Sequence, residues 1–593
     1  MRLYYALLAF LLLPITVFAQ EAADAVQPEA AGTGAFASSP EAEIALKAKQ
    51  AGLPVKADDW MVVAANPLAV EAGAKILRAG GSAADAMIAV QAVLGLVEPQ
   101  SSGLGGGAFL VWYDGASGTM TTLDGRETAP LAATPRLFQD EDGQPLRFFD
   151  AVVGGGSVGV PGVPLLLEEA YARWGRADWR TLFEDAIAHA EDGFAVSPRM
   201  ATMIDGDSER LATFRRTRNY FLPDGTPLQE GQILTNPDYA QSLRILARDG
   251  AAPFYTGKIA SDIVAAVRTA PINPGLLSRE DLALYRVKER EAVCGDYRGY
   301  KICGMGPPSS GALAVGQILG LLEPFDMSGL GPENADSWRL IGDASRLAFA
   351  DRGRYVADTD FVPVPVEGML DSSYLAERSK LLHDNGALET VDPGSPEYDH
   401  ALNWADDDAI ELPSTSHISI VDRYGNVLSM TTTIENAFGS RLMARGFLLN
   451  NELTDFSFRS HRDGLAIANR VEPGKRPRSS MAPTIVLKDG KPVLAIGSPG
   501  GSRIIGYVAK SIVAHLDWGM DVQQAVSLPH LVNRFGTYDV EQGTKAETFA
   551  QPLVEMGFEV EPRPLTSGLS AISLGEVLRG GADPRREGIA LGE

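Results

Sequence analysis

Apolar residues recur at helical spacing from Ala69 to Ala79 and again from Ala83 to Leu96. The Gly80-Gly81 pair between the two runs supplies a stop and a turn, so the pattern predicts a helical hairpin. The glycine loop Ser102 to Gly107 then leads into an apolar run, AFLVWYD, which a turn at Asp114 to Gly118 separates from a second strand, TMTTLD. A dinucleotide site needs strand, glycine loop and helix in that order. Here the loop follows a helix and precedes a strand, which excludes that reading. Further helices are predicted over Pro164 to Trp174, Asp178 to Asp192, Ser309 to Leu322 and Asn334 to Arg352. From about 360 to 413 the chain turns polar and acidic, closing in Asn403 to Ala409, and reads as an exposed connector. From Thr415 onward strands follow densely: HISIVD, VLSMTTTI, FLLN, TIVLKDG and PVLAIGS. Helices around Ile504 to Leu516 and Val522 to Ser527 complete the pattern. No repeat occurs at solenoid periods.

The N-terminus breaks this pattern. Arg2 precedes an almost wholly apolar run from Leu3 to Phe18, and Val17-Phe18-Ala19 offers a signal peptidase small or short residues, so residues 1–19 read as an export signal that leaves Gln20 first. A retained membrane anchor is disfavoured, because the run is broken by Pro14 and falls short of the ~20 residues a span needs. No Cys follows the cut, which disfavours a lipoprotein. Residues 20–57, rich in Ala, Glu, Pro and Gly, carry few large apolar groups and are predicted to form a flexible leader. Over 593 residues, 76 Asp and Glu outweigh 52 Lys and Arg, a net charge of −24. Nucleic acid and anionic membrane surfaces are thereby excluded as partners.

The chain has two cysteines, Cys294 and Cys303, in CGDYRGYKIC. A two-residue turn at Arg298-Gly299 sets them opposite each other on a non-hydrogen-bonded rung, where the Cα separation suits a disulfide in an oxidising compartment. The seven His are scattered and neither Cys has one nearby, so no metal site is expected.

Two places could carry chemistry. Gly155-Gly156-Ser157-Val158-Gly159 matches a nucleophile elbow, but Val160-Pro161-Gly162-Val163-Pro164 stands where the helix should start, which argues against it. The second begins at Thr415. Asp422 to Asn426 fits a three-residue hairpin loop with Gly425 left-handed, and that register sets Thr415 opposite Thr433. A threonine at a strand start, next to another hydroxyl and just after an acidic connector, suits a nucleophile exposed by backbone cleavage, whose new α-amine serves as its general base.

The residues also carry a resemblance. AANPLAVEAG, GGSAADAMIA, SSGLGGGAF, DGRETAP, GSVGVPG, PPSSGA, RLAFADRGRY, TSHISIVD, NNELTDFS, PGKRPRSSMAPTI, GSPGGSRII and GGADPRREG occur in order from about Val62 to the C-terminus. In these motifs the chain resembles the γ-glutamyltransferases (γ-glutamyltranspeptidases, glutathione hydrolases), a family of N-terminal nucleophile hydrolases. The resemblance implies an α/β fold, a four-layer αββα sandwich, whose precursor cuts itself between Ser414 and Thr415. A large subunit, 58–414, and a small one, 415–593, would then share one catalytic unit. It further implies Thr415 as nucleophile, oriented by Thr433, with Gly500 and Gly501 forming the oxyanion hole. Arg126 with Ser479 and Ser480 would hold the glutamyl α-carboxylate, and Glu452 with Asp455 the α-ammonium. Ser157 falls in a structural motif of the family.

One departure is specific to this chain. Many members have Asn two residues beyond the orienting Thr, whereas here it is Glu435, which places three acidic groups around one cation. The segment Asp455 to Ser479 also looks shorter than in members with a long lid. The expected activity is hydrolysis of glutathione and related γ-glutamyl amides through a Thr ester, with transfer to water, amino acids or peptides, in the periplasm or outside the cell, without cofactor. The alternatives are an acylase for glutaryl-type side chains on the same scaffold and an unprocessed, non-catalytic relative. If Glu435 turned outward it would pair with Arg441 or Arg445.

Overall fold

The computed structural model describes residues 36, 39–400, 403–407, 409 and 411–593. The export signal and the start of the leader lie outside the described residues. Two seven-stranded antiparallel sheets stack face to face between layers of helices. In the first the strands run in the order Ile589–Gly592, Met61–Ala64, Ser416–Val421, Val427–Thr433, Gly107–Tyr113, Met120–Gly125, Lys288–Arg290. In the second the order is Val55–Ala57, Leu578–Ala582, Ser570–Ser573, Lys491–Gly497, Thr484–Lys488, Tyr300–Gly304, Val293–Tyr297.

Alternation along each strand divides its side chains between the layers. Ile418, Ile420, Leu428 and Met430 face the helical hairpin Pro67–Arg78 and Ala83–Val97 in one core. Val421 and Val427 meet Ile485, Ala495 and Ile572 of the second sheet in another. The helices Gly311–Leu322, Ala335–Tyr355 and Ile504–Leu516 cover the far face of the second sheet. This is the expected αββα sandwich. Ala83–Val97 is buried throughout, so it lacks a polar stripe. A capping box between Ser82 and Asp85 fixes its start.

Four predicted segments differ. Within the predicted leader, Pro40–Gln50 is helical behind an Ser39 cap and Val55–Ala57 is a strand. The burial there uses small and amphipathic side chains: Ala42 and Ala45 pack against the core, and Lys49 buries its stem to donate from Nζ to the carbonyls of Arg586, 2.9 Å, and Gly588, 2.6 Å. The predicted helix Asp178 to Asp192 is a 3₁₀ turn, Trp179–Phe183, followed by the α-helix Glu184–Asp192. The acidic end of the connector is buried in part, because its carboxylates find arginines: Asp407 on Arg478 at 2.8 Å and Glu411 on Arg352 are buried, while Asp406, on Arg354 at 2.8 Å, stays half-exposed. FLLN contributes only the short strand Phe447–Leu448.

Cys294 and Cys303 face each other across the Arg298-Gly299 turn, joined by a disulfide with Cα atoms 4.1 Å apart. Ser157 lies in the short turn Gly155–Ser157 and donates to the Val152 carbonyl at 2.6 Å, a structural use of its hydroxyl.

Candidate active site

The hairpin carrying Thr415 has the register its turn dictates. Gly425, at φ +79°, closes the loop, and Val421 opposes Val427 through to Ser416 opposite Thr432. One step further the Thr415 and Thr433 hydroxyl oxygens lie 3.2 Å apart. Both hydroxyls contact the carbonyl oxygen of Ser414, Thr433 at 2.9 Å. Thr433 is itself fixed by the Glu435 amide, which donates to its Oγ1 at 2.8 Å. Arg586 donates to the Thr415 carbonyl at 2.9 Å, pinning the residue from behind. The bond between Ser414 and Thr415 is intact in this chain, so Thr415 has no free α-amine here.

A small cavity of about 20 Å³, room for one water, gathers Thr415, Thr433, Gly501, Arg126, Glu435, Glu452, Asp455, Ser479 and Ser480. Gly500 is not among the lining residues, and a side chain there would fall 2.7 Å from the Tyr507 ring. Gly500 and Gly501 have φ of +138° and +57°, which a side chain would strain. A side chain at Gly501 would fall 2.7 Å from the Glu411 carbonyl oxygen, because residues 411 and 412 lie directly on it.

Arg126 lines the cavity together with Ser479 and Ser480. Its guanidinium pairs with Glu452 and Asp455 and also donates to the carbonyls of Pro477, 3.2 Å, and Arg478, 2.9 Å. Ser480 instead accepts from Arg352 at 2.9 Å, and Ser479 Oγ accepts from the Met481 amide at 3.2 Å. The pairing is electrostatic: two buried carboxylates take the guanidinium that lies nearest them. Even so, Oε2 of Glu452 and Oδ1 of Asp455 are buried without a hydrogen-bond partner among the described residues. Burial pushes the carboxyls of Glu435, Glu452 and Asp455 well above their usual range, with Arg126 opposing the rise in each. Burial raises Glu127 to about 8 beside them.

Glu435 points inward. Its carboxylate accepts from Asn451 Nδ2 and from the Leu412 amide, the latter at 3.3 Å. The outward alternative is overturned: Arg441 binds Asp207 at 2.8 Å and Arg445 binds Asp262 at 2.7 Å. Sequence reasoning missed Arg352, Glu411, Asn451 and Arg586. The acidic run before Thr415, set against the arginines of RLAFADRGRY, was the available signal for the first two. Among the described residues no cluster of His, Cys, Asp or Glu is arranged to hold a metal ion.

The profile of the gamma-glutamyltranspeptidases matches residues 69–593. The chain belongs to this family. A glutathione hydrolase proenzyme of Bacillus subtilis (strain 168) is 38% identical to this γ-glutamyltranspeptidase relative over 550 residues, 90% of this chain and 91% of that protein. An acylase ACY 1 proenzyme of Pseudomonas sp. (strain SE83) is 36% identical over 533 residues, 88% of this chain and 90% of that one. Among solved structures, a cephalosporin acylase from Bacillus halodurans superposes with a TM-score of 0.80 at 27% identity, covering 91% of this chain and 97% of its own. Glutathione hydrolases and acylases thus both stand among the proteins to which this chain is similar.

Proposed function

We propose that this chain is the precursor of a γ-glutamyl hydrolase and transferase acting on glutathione and related amides, with Thr415 as its nucleophile. The convergence of the Thr415 and Thr433 hydroxyls on the Ser414 carbonyl supports it above all else. Attack of Oγ1 on that carbonyl moves the acyl group from nitrogen to oxygen. Thr433 donates to the oxygen as charge develops on it, the break of the C–N bond frees the Thr415 amine, and water then hydrolyses the ester, which leaves Ser414 as a carboxylate and restores the Thr415 hydroxyl. The same hydroxyl, now with its own amine as base, attacks the γ-carbonyl of a donor. The γ-glutamyl ester then passes to water or to an amine.

The donor's α-ammonium fits the unpartnered oxygens of Glu452 and Asp455 together with Glu435. A glutaryl donor lacks that cation and would meet three carboxylates with Arg126 alone set against them. This favours the γ-glutamyl reading over the acylase one. The backbone of Gly500 and Gly501 serves as the oxyanion hole once residues 411 and 412 withdraw. The apolar N-terminal run and the Cys294–Cys303 disulfide support export to an oxidising compartment. Among the described residues no helix is long and apolar enough to cross a membrane. Incubating purified protein with glutathione, with and without a dipeptide acceptor, and sequencing the N-terminus of each chain tests the reading. Release of glutamate, a transfer product, and a chain beginning at Thr415 are expected. A single uncut chain that leaves glutathione intact would falsify it.

A further inference from the structure

Thr415 sits one residue beyond the last rung of its hairpin ladder, which ends at Ser416 opposite Thr432. While the bond to Ser414 stands, the chain holds Thr415 from both sides, and the Ser414 hydroxyl is itself fixed by donating to the Gln100 carbonyl at 2.6 Å. Once that bond is cut, Thr415 is a chain end whose amine and hydroxyl turn about a single tether. Its own carbonyl then sets their direction, and Arg586 Nη1 donates to that oxygen at 2.9 Å.

What fixes Arg586 comes from the opposite end of the chain. Its side chain packs on Gly568, where an added side chain would fall 2.8 Å from Arg586 Cδ. The flanking side chains are engaged elsewhere: Arg585 with Glu541 at 2.6 Å and with Asp583 at 2.9 Å, and Glu587 with the Arg199 amide, which donates to it at 2.9 Å. The main chain of this turn is met by Lys49, whose Nζ donates to the carbonyls of Arg586 at 2.9 Å and Gly588 at 2.6 Å. Lys49 reaches it from the last turn of Pro40–Gln50, a helix that Ser39 caps and that Ala42 and Ala45 seat on the core. Val55–Ala57 then pairs with Leu578–Ala582, just ahead of the same turn. Burial lowers the Lys49 ammonium to about 8 against the pull of Asp583 and Glu587, so at neutral pH it bonds both carbonyls as a cation.

We infer that Lys49 is a positioning residue for Thr415 that acts through Arg586: by fixing the Arg586 main chain it aims the guanidinium at the Thr415 carbonyl, and so directs the amine and hydroxyl of the processed enzyme. This rests on the reading of Thr415 as the nucleophile. Without Lys49 two buried carbonyls lose a charged donor, and the turn that carries Arg586 shifts to find another. Residues 39–57 thereby belong to the catalytic unit.

Lys49→Met keeps the stem and removes the donor. On a γ-glutamyl anilide it is expected to lower kcat by about 10-fold with KM changed by less than about twofold, because the groups that bind the donor are untouched. Lys49→Arg, which keeps a cation, should recover most of the loss. In an Arg586→Met background the link is already gone, so adding Lys49→Met is expected to lower kcat by less than about a further twofold. Self-cleavage, followed on a denaturing gel, should slow less than turnover, since Ser414 holds Thr415 until the cut. A Lys49 that only stabilises the fold would lower Tm and leave kcat per folded, processed molecule unchanged. That outcome, a loss confined to KM, a larger loss in self-cleavage than in turnover, or losses that multiply in full in the double variant each overturns the assignment. Should Lys49→Met not fold, Lys49→Gln, with a shorter and neutral donor, carries the same cycle. A wild type neither cut ahead of Thr415 nor active on the anilide removes the nucleophile reading itself, and the inference with it.

Discussion

The hairpin that pairs Cys294 with Cys303 and the hairpin that brings Thr415 to Thr433 obey one rule with different results. Each is closed by a turn with positive-φ residues, Arg298 and Gly299 in one and Gly425 in the other, and each turn fixes which side chains meet. The cysteine hairpin forms the rim of its sheet, with Cys294 exposed, and its facing side chains bond each other. The threonine hairpin lies mid-sheet between Met61–Ala64 and Gly107–Tyr113, with both strands buried throughout. Its facing hydroxyls have a carbonyl set between them. Register therefore decides who meets, and the surroundings decide whether the meeting closes a bond or opens one.

The largest effect is expected where the threonine pair is broken. Thr415→Ala should abolish both processing and activity, since one hydroxyl serves both acyl transfers, while Thr415→Ser should keep some of each. Two chains of the expected sizes from Thr415→Ala, seen on a denaturing gel, would move the cut elsewhere. Thr433→Val removes the donor to the Ser414 carbonyl and keeps the shape; processing followed by gel should slow by roughly 100-fold. An unaltered rate would make the Thr433 contact incidental.

Two residues beyond Thr433, Glu435→Gln should cost a γ-glutamyl anilide roughly 10- to 100-fold in kcat/KM and a glutaryl anilide nothing, because only the former presents a cation. Equal losses would remove Glu435 from recognition. The raised carboxyls of Glu435, Glu452 and Asp455 add a pH dependence. Raising pH ionises them, which helps a cationic donor and hinders a purely anionic one. The γ-glutamyl to glutaryl ratio of kcat/KM should therefore climb several-fold between about pH 5 and pH 8. A flat or falling ratio contradicts the electrostatic account.

The smallest effect belongs to the cysteine hairpin. Replacing Cys294 and Cys303 by Ser opens a short loop at the sheet rim and should lower Tm by about 1–3 °C, with kcat/KM unchanged. A loss of activity at full folding would tie that edge to the site.

Much of this was legible because strands and tight turns obey period and register. The two cysteines, the two threonines and the helical hairpin follow from local rules, and the sandwich from the resemblance to the family. What was not legible arose from charge pairing between distant segments. Nothing local to Glu411 says that Arg352 waits for it, nothing local to Arg126 says that Glu452 and Asp455 hold it, and a lysine that buries its stem, Lys49, looks in sequence like a solvated one. Arg586 reaches the Thr415 carbonyl from the far end of the chain, a contact no spacing encodes.

The strand order has a consequence for the order of events in the life of this molecule. A cut between Ser414 and Thr415 divides each sheet among two chains: Met61–Ala64 sits between Ile589–Gly592 and Ser416–Val421, and Val427–Thr433 borders Gly107–Tyr113. In the second sheet Val55–Ala57 borders Leu578–Ala582 and Thr484–Lys488 borders Tyr300–Gly304. Five seams of main-chain hydrogen bonds thus join the pieces, and neither piece retains a whole sheet. Ordinary partners associate by mass action and separate on dilution. Pieces so interleaved are expected to form by folding as one polypeptide first, and to stay together after a cut for as long as the barrier to unfolding holds. Two genes encoding the pieces separately should yield aggregates, while the single gene yields a particle indifferent to its own concentration.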